Sequence, residues 1–179
     1  MLAPTHLFFA LALAYILKLP KLPAAIAGIA VDLDIVFNLL DTVFPFTHRG
    51  LIHTPLFLAT VAWIFYYITK NKEQTRGIAL GYASHLFLDV ITPAGIILLF
   101  PITAVFSLNA VGYSNLVANT GMILLSIIFI FLFRTKKKHS LGNRYRFLCF
   151  LIFIISTCLI AYLGGFFPHT VYDPFLPLY

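Results

Sequence analysis

The chain has 179 residues, 61% of them apolar and only 10% charged, and 12 Lys+Arg against 6 Asp+Glu give a net charge of +6. Globular domains average roughly 45–50% apolar and 25% charged, so this composition excludes a disordered chain and leaves too little polar surface to cover a soluble globule; a mean hydropathy of +0.97 points the same way. The expectation is an all-α, polytopic membrane bundle of about six transmembrane helices. The basic residues lie between apolar runs, not in a stripe with exposed aromatics, so they predict no nucleic-acid binding.

Apolar runs fall at 2–19, 22–40, 51–69, 77–100, 116–133 and 147–165, each near the ~20 residues that cross a bilayer. The first has no basic residue before it, so it reads as a retained helix and not a signal peptide. Pro4 suits its first turn, where a missing N–H costs nothing, and His6 sits in that turn. The second run carries Asp32 and Asp34. On a regular helix their carboxylates would point ~200° apart, so both reach one centre only if the helix unwinds. Asp32 is the favoured ligand, and Asp34 a base behind it or a further ligand. The two acids also make this run a candidate re-entrant segment.

The third run opens with His48-Arg49-Gly50-Leu51-Ile52-His53-Thr54-Pro55. Two histidines straddle a glycine at the mouth of a span, and Arg49 brings a fixed bidentate cation suited to phosphate. The fourth run holds His85 and Asp89, spaced i, i+4 on one helical face, before Thr92-Pro93-Ala94-Gly95 interrupts the helix. The fifth and sixth runs follow a polar loop at 107–119 and form an almost purely apolar hairpin. Cys149 and Cys158 would lie ~13 Å apart on one helix, too far for a disulfide.

Six alternating spans place eleven of the twelve basic residues on one side, with Arg49 alone on the other. The positive-inside rule makes the basic loops cytoplasmic and puts His6, His48 and His53 toward the outer face. His139 and His169 fall in a loop and the tail and are expected to be solvated. Ionisable groups inside a span cost ~2.5–3.5 kcal/mol each on insertion scales, so Asp32, Asp34, His85 and Asp89 need a compensating interaction. Imidazole and carboxylate without thiolate favour Zn or Mn over Mg or Ca, as one or two ions. The expected metal ligands are His6, Asp32, His48, His53, His85 and Asp89; Asp34 and Arg49 are the expected catalytic residues.

These motifs, in this order, resemble the YdjM-type family of inner-membrane proteins. The likeness rests on His6-Leu7-Phe8, Asp32-Leu33-Asp34, the His48 to Thr54 block, and Gly81-Tyr82-Ala83-Ser84-His85-Leu86-Phe87-Leu88-Asp89 through Pro93, Gly95 and Pro101. It covers about residues 1–105. The family also carries the name "LexA-binding", which refers to regulation of a gene. The resemblance implies a membrane-bound, metal-dependent hydrolase. The chain departs from the family's Pro-Asp-x-Asp-His at Val31 and Ile35, so one histidine ligand or base is missing, and Thr54 stands where serine is usual. A looser likeness to helical zinc-dependent phospholipase C enzymes, through His-x-x-x-Asp, suggests a phospholipid or other lipid-like phosphoester. Residues 1–105 are thus expected to form a four-helix module bearing the metal site, and 106–179 the outer loop, hairpin and tail. A proton- or ion-coupled transporter and a non-catalytic assembly protein with a degenerate site are the competing readings.

Overall fold

In the computed structural model, the described residues are 1–34, 50–99, 102, 104–134 and 142–165. Helix α1 (Ala3–Leu17) begins with Pro4 in its first turn and ends where Lys18 turns left-handed at φ 58°. Helix α2 (Lys21–Ala30) follows Pro20 and gives way to a 3₁₀ turn, Val31–Asp34. A second 3₁₀ turn, Leu51–His53, leads into α3 (Pro55–Thr69). Thr54 caps α3: its hydroxyl accepts from the Phe57 N–H at 3.1 Å and donates to the Leu51 carbonyl at 2.8 Å. Helix α4 (Lys72–Ile91) is capped by Asn71, which accepts from the Gln74 N–H. A two-residue antiparallel pair, β1 (Ile96–Ile97) with β2 (Val105–Phe106), precedes α5 (Leu116–Arg134) and α6 (Asn143–Gly165).

The described chain is thus almost entirely helical, as its composition implies. The crossing helices are a different matter. Only α5 and α6 are long and apolar enough to span a bilayer, while α1 and α3 are shorter apolar helices. Helix α2 has ten residues, about 15 Å of rise against a ~30 Å hydrocarbon core. The fourth apolar run, expected at 77–100, is helical from Lys72 only to Ile91. Thr92 is extended because it precedes Pro93. The carbonyls stranded at this helix end are taken up by the returning chain: Leu108 and Ala110 donate to Val90 and Ile91 at 2.7 and 2.9 Å.

Helix α1 is the centre of the bundle and touches α2, α4, α5 and α6. Its Phe9, Leu13 and Ile16 pack with Leu88, Met122, Phe129 and Phe153 in the main core. At its C-terminus, the buried Arg146 of α6 donates to the Ile16 carbonyl at 2.7 Å. The sequence placed Arg146 in a basic loop; α6 instead begins at Asn143 and brings it inside. Helices α2 and α4 meet through glycines. A Cβ on Gly28 would lie 2.8 Å from Ala10 Cβ, and one on Gly81 would run into the Ala24 carbonyl. Outward, Trp63, Ile68, Leu116, Phe131 and Ile155 are exposed, the apolar surface that a bilayer covers.

Candidate metal centre

Two helices and two 3₁₀ turns deliver six ionisable side chains to one place. His6 comes from α1, Asp32 and Asp34 from the turn after α2, His53 from the turn before α3, and His85 and Asp89 from α4. All are buried except Asp32, whose side chain is 27% exposed. Among the described residues, Asp32 is therefore the open edge of the cluster.

The i, i+4 spacing works as geometry requires: His85 Nε2 lies 3.2 Å from Asp89 Oδ2. His85 Nδ1 lies 2.9 Å from the Gly28 carbonyl. A carbonyl only accepts, so Nδ1 carries the hydrogen and Nε2 turns its lone pair to the cluster. The absence of a side chain at Gly28 lets the α2 backbone come close enough to do this. His53 is held in the same sense, with Nδ1 2.9 Å from Asp34 Oδ2 and Nε2 facing inward.

The end of α2 explains why the two aspartates divide. In a 3₁₀ turn each residue advances by about 120° instead of 100°. The turn sets Asp32 and Asp34 on opposite sides of the His53 ring. Asp34 meets Nδ1, and Asp32 Oδ1 lies 3.8 Å from Nε2.

Two triangles of donor atoms share the 3.3 Å edge between His53 Nε2 and His85 Nε2. Asp32 Oδ1 closes one at 3.8 and 3.4 Å. Asp89 Oδ2 closes the other at 3.4 and 3.2 Å. Ligand bonds of about 2.0–2.2 Å in tetrahedral geometry require ligand–ligand edges of about 3.3–3.5 Å, so this spacing fits a small divalent ion. His6 stacks on His85 with ring centroids 3.8 Å apart, and its Nε2 lies 3.8 Å from Asp89 Oδ1. Neither ring nitrogen of His6 makes a hydrogen bond among the described residues, although the ring is buried. A buried imidazole in that state is suited to a ligand. Two triads, His6–His85–Asp89 and Asp32–His53–His85, each have donors close enough to hold an ion.

Of the residues expected from the sequence, His48 and Arg49 lie outside the described residues, as does Ile35. The structure adds supports that the sequence did not single out. Asn119, fully buried at the start of α5, accepts from the Thr5 hydroxyl at 2.6 Å and the Leu2 N–H at 3.0 Å. Its amide donates to the Asn115 and Tyr113 carbonyls, so all its capacity is used to fix the turn that carries His6. The Tyr82 hydroxyl donates to the Ile52 carbonyl, beside His53. Asn119 was findable by the same reasoning as the aspartates, as an amide at the edge of an apolar run. Cys149 and Cys158 are both free thiols.

A family model described as YdjM inner membrane protein matches residues 1–165, well past the region that carries the motifs. Among curated proteins, the uncharacterized protein YvsG of Bacillus subtilis (strain 168) is 41% identical over 58 residues, covering 32% of this chain and 36% of that protein. The inner membrane protein YdjM of Escherichia coli (strain K12) is 36% identical over 61 residues, covering 31% of each. The chain thus spans about a third of the length of the curated relatives it matches. No solved structure matches.

Proposed function

The chain belongs to the YdjM inner membrane protein family, and from that premise we propose that it is a membrane-embedded, metal-dependent hydrolase of a phospholipid or other lipid-like phosphoester. One observation carries the reading. Two histidine Nε2 atoms, each with its Nδ1 directed at an acceptor, converge with two carboxylates at coordination spacing in a buried site. Structural pairing alone would not need both imidazoles aimed at each other.

A divalent ion there, Zn or Mn by the donor set, would supply a Lewis acid and lower the pKa of water toward ~7. Asp32, His53, His85 and Asp89 are the proposed ligands, with His6 and His48 completing the set for one or two ions. Asp34 holds the His53 tautomer, and Arg49 binds the phosphate and steadies charge that develops on it. In the overall reaction, water oxygen joins phosphorus and the departing alcohol takes the proton. In this reading the chain crosses the membrane about six times, with basic loops cytoplasmic and the site toward the outer face. Residues 1–105 bear the site, and 106–179 buttress it.

The test is elemental analysis of protein purified without chelators, together with phosphate release from a panel of phospholipids. Bound Zn or Mn, lost in His85→Ala and Asp89→Ala, and lipid turnover lost with it, are expected. Absence of any bound transition metal in the unmutated protein would overturn the reading. Metal without turnover of any phosphoester would leave the centre and remove the hydrolase.

A further inference from the structure

An apolar groove of about 740 Å³ runs between α2, α3 and α4, within the range of small-molecule sites. Leu22 and Ile26 of α2, Val61 and Phe65 of α3, and Ile78 of α4 form its walls. It follows α2 from Pro20 to Val31, about 15 Å of helix. At one end it starts beside Pro20 and Gln74, near the basic loop residues; at the other it reaches Val31, Ile52 and Tyr82. Those last residues adjoin the centre. Val31 precedes Asp32 and Ile52 precedes His53 in the chain, and the Tyr82 hydroxyl holds the Ile52 carbonyl. The groove therefore ends next to Asp32, the one member of the cluster that is partly exposed.

We propose that this groove seats the acyl chain of a membrane lipid, with the polar linkage of that lipid lying at the Asp32 end. The complementarity is that of an amphiphile. A long wall without charge meets a cluster of imidazoles and carboxylates at one end only. A soluble phosphoester would have no use for the wall, and a protein helix would need more than a channel one side chain deep beside a ten-residue helix. The exposed Ile26 and Ala30 leave the groove open along α2, so a chain already in the bilayer enters sideways. The proposal rests on the lipid-hydrolase reading for its headgroup end, but occupancy of the groove is measured without turnover.

The probe is a phosphatidylglycerol with a diazirine at the end of one acyl chain. It is mixed into phosphatidylethanolamine vesicles holding the full chain and photolysed. Adducts are expected on Ile26 and Ile78 well above those on Phe131, which faces outward from α5. Ile26→Trp fills the groove and is expected to lower groove adducts about tenfold, the scale on which a pocket responds to lost room. Metal content stays unchanged in that variant. If Ile26→Trp does not fold, Ala30→Leu makes the same obstruction with a smaller side chain. Equal labelling of groove and outer surface, or groove labelling untouched by either variant, overturns the proposal and leaves the hydrolase reading standing. Groove labelling that the variants abolish, in a protein that hydrolyses nothing, supports the groove and removes the enzyme.

Discussion

His53 sits between two aspartates, with Nδ1 2.9 Å from Asp34 Oδ2 and Nε2 3.8 Å from Asp32 Oδ1. One carboxylate orients the ring, and the other shares its inner side. Asp34→Ala removes the orientation and leaves the inner donors in place. Partners of this kind are worth about 10–100-fold in metal affinity. The expected result is a metal Kd raised by that factor, with Asp34→Asn less affected because its amide oxygen still accepts. Competition against a coloured chelator measures both. An Asp34→Ala protein with unchanged affinity would show that Asp34 is not a positioning residue.

Removal of metal by a strong chelator is expected to lower the unfolding temperature, and Zn or Mn to restore it. At a free ion concentration 100 times Kd, the ion adds about 2.7 kcal/mol to stability. The donors bind only when deprotonated, so protons compete and the gain shrinks as pH falls. A chelator that leaves the melting curve unmoved at neutral pH would count against a bound ion.

The polar residues of the centre were legible because charge inside an apolar run is expensive, and each of Asp32, Asp34, His85 and Asp89 stood out on that ground. Their division of labour was not legible. Whether Asp32 or Asp34 faces inward depends on α2 yielding to a 3₁₀ turn at Val31, and hydropathy carries no winding information. The fourth run misled for a related reason. Ile96 and Ile97 are apolar, so the run continued past Pro93, but they pair as a strand. The Gly28 carbonyl that orients His85 is a backbone atom, and no residue type announces it.

Gly28→Ala tests the packing that brings this carbonyl in. The added methyl would lie 2.8 Å from Ala10 Cβ and 3.3 Å from the His6 carbonyl. Overpacking of this kind costs about 1–3 kcal/mol. The loss of stability should come with weakened metal binding, because α2 moves away from His85. Ala27→Gly, one residue away and without a role at His85, should lower stability without changing metal affinity. Thermal unfolding and metal titration of the two variants separate these effects.

Asn119→Ala addresses His6. It leaves the Thr5 hydroxyl and the Leu2 N–H without the acceptor they share, a cost of about 1–3 kcal/mol for buried groups left unsatisfied. The first turn of α1 loosens, and His6 with it. If His6 is a ligand, metal stoichiometry or affinity falls in Asn119→Ala and in His6→Ala alike. If both variants keep full metal content, His6 serves packing against His85 and nothing more.

Arg146 provides the contrasting case. Its guanidinium satisfies the Ile16 carbonyl at 2.7 Å, one of the carbonyls stranded at the C-terminus of α1, where a cation is also favoured by the helix dipole. His6 lies ten residues away on the same helix, about 15 Å along its axis. Arg146→Ala should therefore destabilise by about 1–3 kcal/mol and leave metal affinity as it was. Arg146→Lys keeps the charge but reaches less far and loses the fork geometry, so its cost should be intermediate. Unfolding curves in detergent, read beside metal titrations, check this. A loss of metal in Arg146→Ala at temperatures well below its unfolding would mean that α1 transmits strain over its whole length to the centre.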